Sequence, residues 1–193
     1  MIFENDIFPV FDPMEHDTPG VDLLTLKRLA TAVEIDLPYG TACLEVGTWA
    51  GLSALTLAEV FLKVYCCDHW MGNADDWLGP CEDPVLAYKT FLKNIGPLHS
   101  KQIIPLRGSS EYWSEAWTGM QEKFGLIYLD ASHNFQSVCA DINGWKKHLR
   151  PDGVICGHDW GVFTDVEKAV RACFPADHIH SVGRIWYVKE EIK

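Results

Sequence analysis

The chain has 193 residues, 48% apolar and 22% charged, with a formal net charge of −11. This fits one globular domain with a sizeable core. The negative balance excludes a general polyanion binder, so nucleic-acid partners are not expected. Seven cysteines form no Cys-x-x-Cys pair, and Cys43, Cys66, Cys67 and Cys156 lie in apolar runs. Free thiols in a reducing compartment are expected rather than a disulfide framework. No apolar run approaches a membrane span, and the first residues lack the basic and apolar regions of a signal peptide. The expected location is cytoplasmic, with no membrane partner.

Residues 1–20 carry Pro9, Pro13, Pro19, Gly20 and the aromatics Phe3, Phe8 and Phe11. They read as an irregular arm that packs on the domain or on a second copy in a homodimer, ahead of a domain spanning 21–193. Met14 to Asp17 either reach an active-site mouth or form a solvated loop. Asp22 to Ile35 repeats apolar residues at helical spacing, and Pro38-Tyr39-Gly40 stops it.

The chain is organised around the next stretch, Cys43-Leu44-Glu45-Val46-Gly47-Thr48-Trp49-Ala50-Gly51-Leu52-Ser53. An apolar run ends in an acid, two glycines follow, and a helical pattern runs from Leu52 to Phe61. This is a buried strand, a tight turn and a helix start. Glycine lets a ligand approach the backbone, and the free N–H groups of a helix start can face that ligand. A second apolar run, Val64 to Cys67, ends in Asp68, at the offset where an acid accepts bonds from ribose hydroxyls. The turn lacks Gly-x-Gly-x-x-Gly. A carboxylate at Glu45 would repel a pyrophosphate and attract an ammonium, which points to a nucleoside carrying an amino acid.

His69 to Pro84 is a long polar connection, either a binding loop or a surface insertion. Val85 to Ile95 reads as a helix ended by Gly96-Pro97. Gln102 to Leu106 is a third strand, opening onto the Arg107–Glu111 turn with a serine as helix cap. Phe124 to Leu129 is a fourth strand ending in Asp130, and 135–149 is an amphipathic helix, with Trp113 and Trp117 before them as core. Pro151-Asp152-Gly153 reads as a turn before a fifth strand, Val154 to Cys156, which runs into Gly157-His158-Asp159-Trp160. A helix from Asp165 to Phe174 and two strands, 178–182 and 185–188, close the chain.

Alternating strands and helices predict an α/β fold: a doubly wound, mostly parallel, seven-stranded sheet with a C-terminal antiparallel strand. Right-handed crossovers would gather the strand ends on one rim, where ligands of such sheets bind. Glu45, Asp68, Asp130 and Asp159 each end an expected strand. Four acids in one cleft require something cationic among them, unless each is only a cap or turn former.

The Glu45–Gly51 motif, Phe124 to His133 and Leu149 to Trp160 together resemble class I S-adenosylmethionine-dependent methyltransferases over about residues 21 to 188. The wording Asp-Ala-Ser-His, then His-Asp-Trp, is similar to small-molecule O-methyltransferases related to macrolide-sugar and catechol enzymes. The resemblance implies methyl transfer from S-adenosylmethionine to a small-molecule hydroxyl, with a sugar or natural product as acceptor. It places Glu45 near the methionine moiety, Gly47, Thr48, Trp49 and Gly51 beneath it, and Ser53 at the helix start. It puts Asp68 on the ribose, His69 beside the adenine, Ser109, Ser110 and Glu111 at the adenine edge, and Asp130 beside the sulfonium. Metal-dependent members hold Mg²⁺ with acids matching Asp130 and Asp159, but their third ligand is Trp160 here. Mg²⁺ or another divalent cation is therefore an expectation with an incomplete oxygen set, since magnesium prefers oxygen and imidazole suits transition metals. Without a metal, His133 or His158 is the candidate base, working beside Asp130; the alternative is a rim histidine bonded to backbone. Competing readings are an NAD(P)-dependent oxidoreductase and a non-catalytic nucleoside-binding module.

Overall fold

The computed structural model describes residues 19–72 and 80–189. Helix α1 (Pro19–Glu34) takes Pro19 and Gly20 out of the expected arm. A proline at a helix start loses nothing, because that N–H has no intrahelical partner. The rest of the arm, including Met14 to Asp17, lies outside the described residues, as do residues 73–79 of the long connection. Strand β1 (Ala42–Val46), α2 (Leu52–Ala58), β2 (Val64–Asp68), α3 (Pro84–His99) and β3 (Ile103–Arg107) follow. Then come α4 (Ser110–Ala116), β4 (Phe124–Leu129), α5 (Phe135–Trp145), β5 (Leu149–Gly157), α6 (Thr164–Cys173), β6 (Ile179–Val182) and β7 (Ile185–Lys189).

The seven strands form one sheet in the order β3-β2-β1-β4-β5-β7-β6. Pairing is parallel from β3 through β5, and β7 runs antiparallel to both β5 and β6. The expected doubly wound sheet with one reversed strand near its C-terminal edge is therefore present. Strands β1 and β4 are buried at every position, which is why they read as unbroken apolar runs. Helices α1 to α3 cover one face with Leu26, Leu57 and Phe91; α4 to α6 cover the other with Trp113, Trp145 and Val170. Trp117 is core, and Trp113 packs partly buried against it, as expected of that pair.

Several boundaries differ from expectation: α5, read as 135–149, ends at Trp145, and α2, read to Phe61, ends at Ala58. The Pro151–Gly153 turn lies inside β5: its pairing with β4 steps from Phe124↔Leu149 to Leu126↔Val154, so the extra residues bulge out of the ladder. Helix α3 breaks at Gly96 (φ 59°, ψ 178°), where a stop was expected, but one more turn follows. Glu45 is the penultimate residue of β1 rather than its end. All seven cysteines are free thiols. No helix among the described residues is long and apolar enough to cross a membrane.

Candidate active site

Strand order reverses between β1 and β4, and ligands of doubly wound sheets bind beyond the strand C-termini at that point. The turn after β1 lies directly against the exit of β4 there. A Cβ on Gly47 (φ +87°) would stand 2.0 Å from the Asp130 carbonyl oxygen. Beside it opens a cleft walled by Asp22, Ser53, Tyr128, Asp130, His158 and Arg184.

Glu45 is fully buried at the base of this region. Its Oε2 accepts a bond from the Thr48 hydroxyl at 2.7 Å and a weaker one from the Cys66 thiol at 3.5 Å. Its Oε1 is sealed from solvent without a well-formed bond among the described residues. Burial pushes the carboxyl up to about 7, tempered by the Ser53 and Thr48 hydroxyls. Stability linked to the proton is thus present below the unfolded value of 4.5 and drains away as pH rises through about 7. The full shift is worth about 3 kcal/mol. Without ligand, Glu45→Gln should therefore melt higher than the parent at pH 8.5 and show no such advantage at pH 5. Thermal melts at both pH values check this; a gap independent of pH would mean that Glu45 stays ionised when folded.

Asp68 ends β2, but its carboxylate first serves the backbone. Oδ2 accepts from the Trp49 N–H at 2.8 Å and Oδ1 from the Trp70 N–H at 2.6 Å. Trp70 Nε1 donates to the Trp49 carbonyl at 2.7 Å. These bonds hold Trp49 and Trp70 in left-handed conformations, with φ of 43° and 56°. Each such residue costs about 1–3 kcal/mol. Burial of one large apolar side chain returns a similar amount, and Trp70 is itself fully buried. A carboxylate has about four acceptor sites, so Asp68 keeps acceptor capacity beyond these two bonds. His69 Nδ1 accepts from the Met71 N–H at 3.0 Å. Ser109 caps α4 through the Tyr112 N–H, and Glu111 is exposed in its first turn. Ser110 turns toward α5, where its hydroxyl accepts from Trp145 Nε1 at 2.8 Å. That bond makes it a tie between helices.

Past β4 the side chains form a connected chain. The Tyr128 hydroxyl donates to Asp130 Oδ2 at 3.0 Å. His133 Nε2 lies 2.7 Å from Asp159 Oδ2, and its ring stacks on Phe163 at 4.2 Å and 5°. His158 Nδ1 lies 3.1 Å from Asp159 Oδ1, and its Nε2 lies 3.3 Å from Asp22 Oδ2. Both histidines thus engage carboxylates. Burial works against a charge on His158, but Asp159, Asp130 and Asp22 outweigh it and raise its pKa to about 9. Burial of Asp159 is likewise outweighed by its two imidazoles, which hold it well below the usual carboxylate range. Burial raises Asp130, with His158 and Tyr128 opposing. Asp22, Tyr128 and Phe163 were not expected site residues. No local motif marks them, because each joins only through contacts between elements distant in the chain.

Asp130, His133 and Asp159 each offer one ligand atom, all within 4.8 Å of one another. Two oxygens and an imidazole nitrogen suit Mn²⁺, Fe²⁺ or Zn²⁺ better than Mg²⁺. Trp160 does not supply a third oxygen; its ring packs over Arg171 at 5.0 Å.

A crevice thus opens at the switch point, with a glycine turn against the exit of β4 and a histidine–carboxylate array beside it. Residues 44–160 match the methyltransferase domain family, and the chain belongs to that family. No curated protein matches it by sequence. The calicheamicin methyltransferase CalS11 is similar in structure, with a TM-score of 0.69 at 17% identity, over 96% of this chain and 83% of that one. An O-methyltransferase from Bacillus cereus, solved in complex with SAH, aligns with a TM-score of 0.65 at 16% identity, over 91% and 84%. A precorrin 8w decarboxylase from Methanobacterium thermoautotrophicum aligns with a TM-score of 0.60 at 13% identity, over 86% and 90%. At such identities the likeness is one of fold, and the reaction has to be argued from the site.

Proposed function

We propose that this chain transfers the methyl group of S-adenosylmethionine to a hydroxyl of a small molecule, of sugar or natural-product type. The observation that carries the reading is the His133–Asp159 pair at 2.7 Å, beside Asp130 on the rim that also bears the Gly47–Gly51 turn. The unsatisfied Glu45 oxygen and the Asp22 and Asp130 carboxylates on the cleft suit the ammonium and sulfonium of an amino-acid nucleoside. Further support comes from relatives in fold: CalS11 is described as a TDP-rhamnose 3′-O-methyltransferase, and the Bacillus cereus protein was solved with SAH.

Bound S-adenosylmethionine would supply an electrophilic methyl carbon on a sulfonium. Ser53 and Asp130 line the cleft that would receive its amino-acid end. His133, beside Asp159 at 2.7 Å, would take the proton of the acceptor hydroxyl as that oxygen attacks the methyl carbon. Asp159 stabilises the imidazolium that results. Phe163 holds the ring plane, so the site's main contribution is orientation of the two reactants.

The base scheme uses no metal; a transition ion held by Asp130, His133 and Asp159 is the alternative. Calorimetry should show S-adenosylmethionine and S-adenosylhomocysteine binding and NAD failing to bind. Labelled methyl should pass to members of a hydroxylated acceptor panel at rates that EDTA changes by less than about twofold. A large loss with EDTA, restored by Mn²⁺, would replace the base scheme with a metal-held hydroxyl. Cofactor binding without any transfer would favour a non-catalytic module.

A further inference from the structure

We propose that Cys139 and Cys173 form a reversible thiol–disulfide site, oxidised by a hydroperoxide, that clamps helix α5 to helix α6. The proposal does not depend on the methyl-transfer reading.

The two cysteines lie on helices that pack against each other, Cys139 in α5 and Cys173 as the last residue of α6. Their thiols belong to an unbroken run of donors and acceptors. Asn143 Nδ2, one turn along α5 from Cys139, donates to Cys173 Sγ at 3.8 Å. The Cys173 thiol bonds to Cys139. Cys139 Sγ donates to the Ala169 carbonyl at 3.9 Å, one turn before Cys173 on α6. Each end of the run holds one sulfur against the opposite helix, so the pair meets across the interface. Both thiols are half-buried, whereas Cys43, Cys66, Cys67 and Cys156 are buried. Burial pushes the thiols of those four up, which leaves them inert.

The contact also assigns an order to the chemistry. Burial and the bond to Cys139 hold Cys173 up to about 11, so it keeps its hydrogen at neutral pH. That hydrogen serves the Cys139 sulfur, which is therefore the first to react. The Cys139 thiolate attacks a peroxide oxygen: the sulfur–oxygen bond forms, the oxygen–oxygen bond breaks, and the leaving oxygen takes a proton from solvent. Sulfur has lost two electrons and the peroxide has gained them. Once Cys139 is a neutral sulfenic acid, it no longer holds the Cys173 proton in place. Lys146 and the Asn143 amide still favour the Cys173 thiolate. Cys173 releases its proton and attacks the Cys139 sulfur; the sulfur–oxygen bond breaks and water leaves. Two thiols and one hydrogen peroxide thus give one disulfide and two waters, and a dithiol reverses the bridge by exchange. The bond draws the sulfurs to about 2.0 Å. Cys173 ends its helix, so the last turn of α6 can move to meet it.

The test uses the full chain, reduced and then treated with a small excess of hydrogen peroxide. Peptide mapping without reductant should join the peptides of Cys139 and Cys173, and dithiothreitol should separate them. In Cys173→Ser, Cys139 should stop at the sulfenic acid and take up dimedone. In Cys139→Ser, Cys173 should take up little. Cys81→Ser, which removes another half-buried thiol, should form the bridge as the parent does. The bridged protein should melt about 5 °C or more above the reduced one, as a closed loop confines the unfolded chain.

Oxidation scattered over the other cysteines, bridges between separate copies, or over-oxidised Cys139 without a bridge would overturn the proposal. Dimedone on Cys173 in place of Cys139 would overturn the order of attack, and a bridged protein that melts no higher would overturn the clamp. None of these readouts needs cofactor or acceptor, so a failed methyl-transfer assay leaves them standing.

Discussion

His133→Gln should lower the methyl-transfer rate about 10²- to 10⁴-fold, the usual worth of a positioned general base. The loss should fall on turnover. His133 is not part of the wall of the cleft formed by Ser53, Tyr128 and Asp130, so S-adenosylmethionine affinity should stay within about twofold. Acceptors with acidic hydroxyls, such as phenols, should suffer less than alcohols, because they need less help in losing the proton. Asp159→Asn should reproduce most of the effect by inviting the wrong His133 tautomer, as in serine-protease triads. Steady-state kinetics with one phenolic and one aliphatic acceptor provides the check. Equal, small losses on both would show that His133 is a rim residue and that the proton leaves by another route.

Gly47→Ala should be the most damaging single substitution at the turn. Its Cβ would lie 2.0 Å from the Asp130 carbonyl oxygen, 2.4 Å from the carbonyl carbon and 2.5 Å from the Ala131 Cα. All three are backbone atoms at the exit of a central strand, so no side chain can swing aside. The left-handed backbone adds about 1–2 kcal/mol, and overpacking adds about 1–3 kcal/mol or more. A total near 4 kcal/mol lowers the melting temperature by about 10–15 °C for a chain of this size. The cofactor turn would be lost with it.

Two other glycines separate these terms. Gly40 (φ +81°) has nothing within 4 Å of a built Cβ, so Gly40→Ala should cost only the conformational part. Gly51 (φ +88°) faces the Phe91 ring at 2.9 Å, and a ring can shift, so Gly51→Ala should fall between them. Thermal melts of the three variants should rank Gly47, Gly51, Gly40. If Gly47→Ala were no worse than Gly40→Ala, the close approach of β1 and β4 described above would be wrong.

Sequence alone was enough for the sheet, the order of its elements, the glycine turn and the serine cap of α4. Those features are local: apolar runs mark buried strands, 3.6-residue spacing marks helices, and only glycine takes the left-handed turn cheaply. It also brought Glu45, Asp68, Asp130, His133, His158 and Asp159 to one rim, because strand ends in a parallel sheet share an edge. It could not say what each side chain does once there. Glu45 lies sealed inside β1, Asp68 staples two strained tryptophan amides, and Ser110 turns inward to Trp145. The pairing of His133 and His158 on opposite oxygens of Asp159, and the reach of Asp22 from the first helix, arise only when distant elements pack. Hydrogen bonds depend on ångström-scale distance and direction, which tertiary packing sets and residue spacing along the chain does not.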